Sequence, residues 1–518
     1  MSRARSLIRR LRILIARRPP EVLAILPVYN VAEYLQECLD SLFAQDFSDF
    51  VVVAVNDGSS DGSGSILERA AKKDRRLIVI NQANRGLGAA RNRALALWRS
   101  RPAARPRYVT FLDSDDVLPP GAIGALRGSL KRTGSDLAVG SIERFTDDAS
   151  KTWRPSWSVI AHDEERQATS ITEFPLALMD IVACNRMVTR TFWDSTIGAF
   201  PEGVVYEDHV PMLTLYTRAT RFDMLTQVTY LWRKREDGSS LAQQKRELQN
   251  LLDRTAAKRL GLREIGRLGS RAVTSAYARR VLAIDLYGFI IEGDLRNDAY
   301  WEALRAFALP FAAIADEDMP IWLAINSRHA VAAWLLAHGR RESLIALSTA
   351  EDKRVQLAET PAGETVLATT VEAADADMPL AVRQFNDRQA QPLVRVVGVR
   401  EGAGELVLTL RVRIREADPT TITAVALKRT TGDGVLATGK RTSDERWDLT
   451  ITAVDLAAAT QRDPGNSIEL RVTVLDDWHR SAPIRVTRKP LAKMKDASAL
   501  TGILVDAEHG ALHSIHPA

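Results

Sequence analysis

Val22-Leu23-Ala24-Ile25-Leu26-Pro27-Val28-Tyr29-Asn30 is an apolar run that closes on a proline, an aromatic residue and an asparagine. A short apolar run bounded by turn residues reads as a buried strand, here Val22–Leu26. The segment Ala32–Ala44 follows it, and its Leu35, Leu39 and Leu42 fall on one side of a helix. Outward from this pair the alternation continues, with strands expected at Val51–Val55, Leu77–Ile80, Tyr108–Leu112 and Leu137–Val139. Strand–helix alternation implies a mostly parallel α/β sheet covered on both faces. Ligands of such a sheet lie beyond the carboxyl ends of its strands.

The chain of 518 residues exceeds what one core can hold. Residues 1–20 form a segment with seven arginines and no acid, so the remainder carries −2 where the whole carries +5. Leu7, Leu11 and Leu14 recur there at helical spacing. The segment reads as an interfacial helix drawn to anionic lipid, or else as a solvated basic tail. Residues 21–240 are read as the α/β domain, with 141–240 as its acceptor half. Residues 241–350 read as helical, with a long amphipathic run at Val331–Leu347 and punctuation at Pro310 and Pro320. Residues 351–390 read as a linker. In 391–490 the period switches to two, as in Leu406, Leu408, Leu410 and Val412, with turn signals at Gly402–Gly404 and Gly432–Gly434. That pattern predicts an antiparallel β-sandwich. The tail, 491–518, carries no clear signal.

Several classes are excluded by composition. Cys38 and Cys184 are the only cysteines, too few for a disulfide framework and in keeping with a reducing compartment. No stretch reaches the roughly 18–20 apolar residues of a spanning helix. With the basicity confined to the first twenty residues, no nucleic-acid partner is expected.

Five patterns fall at strand ends or in loops. Pro27-Val28-Tyr29-Asn30 offers an aromatic face for a flat base, or is simply a strand exit. Asn56-Asp57-Gly58-Ser59 offers a carboxylate to a pyrimidine N–H or ribose hydroxyl, with Asp61 as a helix cap. Asn84-Arg85-Gly86-Leu87-Gly88-Ala89-Ala90-Arg91-Asn92 allows close backbone approach and aims Arg91 at a base or diphosphate, or is a plain helix start. It does not follow the first strand, which disfavours nicotinamide chemistry. Asp113-Ser114-Asp115-Asp116 sets two carboxylates around one residue, a hard-oxygen site for Mg²⁺ or Mn²⁺ that would neutralise a diphosphate leaving group. Glu207-Asp208 offers a general base at Asp208, or a helix N-cap. Beyond them Trp232–Ser240 is a basic turn that could clamp phosphate through Arg235, or stay solvated.

As an ordered set these motifs resemble the family 2 glycosyltransferases of the GT-A (Rossmann-like) fold, over roughly residues 22–240. The resemblance implies a UDP-sugar donor, a divalent metal and inversion at the anomeric carbon. It implies Pro27, Tyr29, Asp57, Arg91, Asp113, Ser114 and Arg235 as nucleotide-binding, Asp113 and Asp115 as metal ligands, and Asp208 as the base. Asn56 stands where many relatives have a second aspartate, and Asn185-Arg186 where Asn-Lys is frequent. The run from Phe174 to Arg186, with Tyr206-Glu207-Asp208 and Trp232–Ser240, is similar to the transferase modules of teichoic-acid and related wall-polymer enzymes. That likeness implies a glycan, polyol-phosphate polymer or lipid-linked acceptor at the inner face of the plasma membrane, and a C-terminal β-domain that oligomerises or holds polymer. A transferase acting on a lipid-linked exopolysaccharide intermediate and a non-catalytic glycan-binding scaffold are the competing expectations.

Overall fold

The structure is a computed structural model that describes residues 19–99, 106–146, 152–235, 244–349 and 377–383 with their side chains, and the backbone of the strands named below between 357 and 514. The basic segment lies outside the described residues except for its last two. The chain divides into two compact units. One holds the described residues up to Ile321 with Ala333–Arg341, and the other holds Trp322–Ala332 with the described residues from Glu342 on.

The first unit is built on an eight-stranded sheet of order β3-β2-β1-β4-β7-β5-β8-β6. β1 (Val22–Val28), β2 (Phe50–Asp57), β3 (Leu77–Gln82) and β4 (Tyr108–Phe111) run parallel. β7 (Arg186–Thr189) lies antiparallel between β4 and β5 (Leu137–Phe145). β8 (Phe222–Arg233) pairs parallel to β5, and β6 (Arg166–Thr169) antiparallel to β8. Every residue of β1 is buried, as expected of a parallel strand covered on both faces.

Helices α1 (Ala32–Phe43), α2 (Ser63–Lys73), α3 (Leu87–Arg99) and α4 (Ala122–Thr133) alternate with these strands. In α1 the buried face is Leu35, Cys38, Leu39 and Leu42, the i, i+3, i+4, i+7 stripe. α5 (Ser156–Ala161), α6 (Arg190–Thr196) and α7 (His209–Arg218) complete the sheet domain. Residues 141–240, mixed in pattern, thus supply three strands to the same sheet.

A helical region follows: α8 (Leu248–Gly266), α9 (Arg271–Arg280), a π turn at Val281–Asp285, α10 (Tyr287–Glu292) and α11 (Asp298–Glu317). Pro310 does not punctuate; it lies inside α11. Its missing N–H releases the Ala306 carbonyl four residues earlier, which instead accepts from Arg259 Nη2 at 2.8 Å. α12 (Pro320–Leu323) does begin at its proline. The run Val331–Leu347 is two helices, α13 (Ser327–Ala337) and α14 (Arg341–Thr349). They part at Gly339, whose φ of +72° a glycine adopts without penalty.

In the second unit the expected linker carries a hairpin, β9 (Leu357–Glu359) with β10 (Thr365–Leu367), and α15 (Leu380–Arg383). Beyond it β11 (Leu393–Gly402), β12 (Glu405–Arg413), β13 (Thr421–Ala426), β14 (Gly434–Ser443), β15 (Arg446–Thr452), β16 (Ile468–Leu475) and β17 (Trp478–Ile484) pair antiparallel in the order β11-β12-β15-β14-β13-β16-β17. The patternless tail contains one more hairpin, β18 (Ile503–Asp506) with β19 (Ala511–Ser514).

Candidate active site

The exits of β1 and β2 are knotted together by side chains. Asn30, left-handed at φ +49°, accepts from the Ser60 N–H at 2.9 Å and donates its own N–H to Ser59 Oγ at 3.1 Å. Asp61 accepts from the N–H of Ala32 and of Ser63, both at 2.9 Å, so one carboxylate caps the starts of α1 and α2. Pro27 is buried in β1, while Tyr29 stands 48% exposed at its end. Asp57 is buried and accepts from Gln82 Nε2 at 2.8 Å and from the N–H groups of Arg85 at 3.0 Å and Gly86 at 2.9 Å. It therefore fixes the loop that opens α3. A Cβ on Gly58 would meet Asn84 N at 2.7 Å, so this approach needs the glycine.

The third motif behaves differently from its sequence reading. Arg91 is 1% exposed and is enclosed by protein. Its Nη2 donates to Asp113 Oδ1 at 2.9 Å and its Nη1 to Glu207 Oε1 at 2.5 Å. Below it lie Phe200, whose ring centre is 5.2 Å from the guanidinium, and Phe111 at 6.0 Å. The pairing has a simple physical source: two facing carboxylates satisfy a buried guanidinium better than an open groove does. Arg91 is a strut between the β4 exit and the loop before α7.

That strut brings together the acids that stand far apart in the chain. Asp113 keeps its side chain 37% exposed while bound to Arg91. Ser114 is buried beside it. Asp115 Oδ2 receives both Nε of Arg235 at 2.9 Å and Nη2 at 2.7 Å. Arg235 thus rests on an acid of the site. Asp116 is fully enclosed, accepting from Tyr230 Oη at 2.5 Å and from the Arg233 N–H at 2.7 Å, which ties the β4 exit to the end of β8. Burial, then the charges of Asp115 and Asp113, push the Asp116 carboxyl well above the usual range. Arg233 itself holds the Asp115 carbonyl at 2.8 Å and pairs with Glu37. Neither Tyr230 nor Glu37 has a signal in the sequence; only the fold reveals them. Both cysteines are buried with free thiols, and Cys38 Sγ lies 3.6 Å from the Asp113 carbonyl.

On the other side, Tyr206 adopts φ +60° immediately before Glu207 and Asp208. Burial raises the Glu207 carboxyl to about 7, with Arg91 opposing and Asp208 reinforcing the rise. Asp208 is also raised, first by burial and then, against the pull of Arg91, by Asp113. Asp208 precedes α7 yet makes no side-chain capping bond. A raised carboxylate not spent on the helix is available as a proton acceptor.

Among the described residues no group of three or more His, Cys, Asp and Glu side chains forms a metal cage by itself. Asp113 and Asp115 supply a partial all-oxygen set that diphosphate oxygens and water would complete, which fits a hard divalent cation. Asn185 and Arg186 are bound to another acid: buried, they clasp Asp180 at 2.5 and 3.1 Å, with His162 at 2.9 Å on the same carboxylate.

A mostly parallel sheet with acids and arginines gathered past the carboxyl ends of its strands is the place where α/β folds of this class bind their ligands. Residues 23–193 match Glycosyl transferase family 2, and the chain carries a domain of that family. It is 39% identical over 127 residues to Glycosyltransferase GlyA of Streptococcus pneumoniae, spanning 24% of this chain and 17% of that one. It is 47% identical over 99 residues to the uncharacterized glycosyltransferase EpsJ of Bacillus subtilis, spanning 19% and 27%. The chain therefore aligns with less than a third of the length of either relative. The fold matches the crystal structure of S. aureus TarS with a TM-score of 0.58 at 16% identity, covering 90% of this chain and 77% of that one. TarS 1–349 in complex with UDP-GlcNAc matches with a TM-score of 0.51 at 18% identity, covering 71% and 99%.

Proposed function

We propose that the chain is an inverting, metal-dependent transferase that moves a hexosyl or N-acetylhexosaminyl group from a UDP-sugar to a cell-envelope glycan or polymer such as teichoic acid. The observation that carries this is the Arg91 strut, which holds Asp113 and Glu207, the neighbour of Asp208, on one guanidinium. TarS, bound to UDP-GlcNAc in one of its structures, supports a UDP-sugar donor.

In this reading Tyr29 stacks on the base and the Asp57 loop borders the nucleotide. Asp113 and Asp115 would hold Mg²⁺ or Mn²⁺, which would supply charge neutralisation to the diphosphate. Arg235 lies where it can pass from Asp115 to a phosphate oxygen. Asp208 takes the proton of the acceptor hydroxyl as that oxygen bonds to the anomeric carbon and the bond to the UDP oxygen breaks. Attack opposite the leaving group inverts the configuration.

No helix among the described residues is long and apolar enough to cross a membrane. Residues 1–20 are proposed to bring the enzyme to the anionic inner face of the plasma membrane. The C-terminal strands are read as a β-sandwich for oligomerisation or for holding polymer.

The test is release of UDP from a panel of UDP-sugars, with and without Mn²⁺. Wild type turns over with metal, while Asp115→Asn and Asp208→Asn lose at least about 100-fold with unchanged melting. Full turnover in both folded variants sinks the reading.

A further inference from the structure

The loop that presents Asp208 is held from the helical region, beyond the residues matched to the family. Asn250, Arg254, Lys258 and Gly261 recur at intervals of three and four along α8, so they share one face of that helix. Three of them lie against the residues flanking Glu207-Asp208, and Lys258 reaches His209 through Tyr277. Asn250 accepts the Tyr206 hydroxyl through Oδ1. The Arg254 guanidinium sits 4.4 Å from the centre of the Tyr206 ring. Lys258 offers its carbonyl to Tyr277 Oη at 3.1 Å, and that oxygen lies 2.7 Å from His209 Nε2. Gly261 leaves room for both, since a Cβ there would lie 2.3 Å from Tyr277 Oη and 3.0 Å from His209 Nε2.

Tyr206 and His209 therefore bracket the two acids, and each is anchored to α8. The bracket is needed because Tyr206 occupies left-handed backbone that a bulky residue leaves unless its side chain is restrained. Arg254 is itself fixed, donating to Asp285 Oδ1 at 2.6 Å, while Lys258 Nζ takes Oδ2 at 2.6 Å. Burial works against that carboxylate, but Lys258, Arg280 and Arg254 hold it ionised. The positive charge of Arg254 also favours the ionised form of Asp208.

We propose that Arg254 is a positioning residue for sugar transfer: pinned to Asp285, it clamps the Tyr206 ring and so keeps the left-handed turn that aims Asp208 at the acceptor oxygen. The inference rests on Asp208 being the base. It makes the helical region a working part of the active site.

The experiment uses the full chain and the UDP-sugar, among UDP-glucose, UDP-galactose, UDP-GlcNAc and UDP-GalNAc, that raises the melting midpoint most with Mn²⁺ present. Steady-state UDP release gives kcat and donor KM for wild type, Arg254→Gln, Arg254→Lys, Tyr206→Leu and Asp208→Asn. Misaiming a base by an ångström costs about 10- to 100-fold, so Arg254→Gln is expected to lose that much kcat with donor KM within about twofold. Arg254→Lys recovers part of the loss. Tyr206→Leu leaves the Arg254–Asp285 pair intact and shows the same kcat defect, which keeps the test valid should Arg254→Gln not fold. Wild-type kcat in folded Arg254→Gln or in Tyr206→Leu overturns the proposal, as does a loss that tracks the melting midpoint and that lysine does not relieve. An active Asp208→Asn removes the base assignment and this inference with it. An inactive Asp208→Asn beside a fully active Arg254→Gln removes this inference alone.

Discussion

Arg91 shows what can and cannot be read from one residue. Its motif is plain in the sequence, but its partners stand 22 and 116 residues away, and no local pattern ranks a distant carboxylate against a bound nucleotide. Acids at strand ends are legible because solvent-facing carboxylates past an apolar run have no structural need to be there. The arginines that neutralise them are not, because an arginine is at home on any surface. Glu207 gives a test at this scale. Its carboxyl, ordinarily near 4.5, stands at about 7 in the fold, chiefly through burial. A carboxyl raised by folding contributes its full stability below its ordinary value and loses it as pH climbs through the raised one. Wild type should therefore lose stability relative to Glu207→Gln between about pH 5 and pH 8. Melting midpoints of the pair across that range check it; a gap that widens in favour of wild type contradicts the assignment.

Secondary elements were more legible than their ends. Apolar period and β-branched runs place β1 to β4 well, since burial on both faces leaves a continuous signal, but catch only the first three residues, Leu137–Val139, of β5. The pattern fails where a single backbone event overrides it, as with the Gly339 break and the uninterrupted passage of α11 through Pro310. The latter can be checked by a double-mutant cycle. Arg259→Ala should cost about 1 kcal/mol in wild type by stripping the Ala306 carbonyl of its donor. In a Pro310→Ala background the restored N–H serves that carbonyl and the cost should nearly vanish; equal costs in urea melts would show the contact to be idle. Gly88 is a second case, at the start of α3. A Cβ there would fall 2.2 Å from the Pro201 carbonyl and 3.2 Å from Glu207 Cγ. Gly88→Ala should cost about 1–3 kcal/mol by overpacking and lower turnover as the 201–207 loop is pushed away. Denaturation and UDP release on the same preparation measure both.

On the scale of the whole molecule, the two compact units predict two calorimetric transitions. A UDP-sugar at 100 times its Kd should stabilise by about 2.7 kcal/mol and raise only the transition of the unit that holds the eight-stranded sheet. A common shift in both transitions would place the ligand elsewhere. The division into a parallel-sheet half and an antiparallel half is legible from the change of period, whereas the tail hairpin is not, its strands being only four residues each. The pairing of Asp115 with Arg235, and of Asp113 and Glu207 with Arg91, has a further consequence. With its acids already countered by arginines, the pocket needs no mineral guest to remain folded. Exhaustive treatment with EDTA should accordingly silence the enzyme while leaving its heat resistance intact, and returning Mn²⁺ should restore activity at once, with no refolding lag.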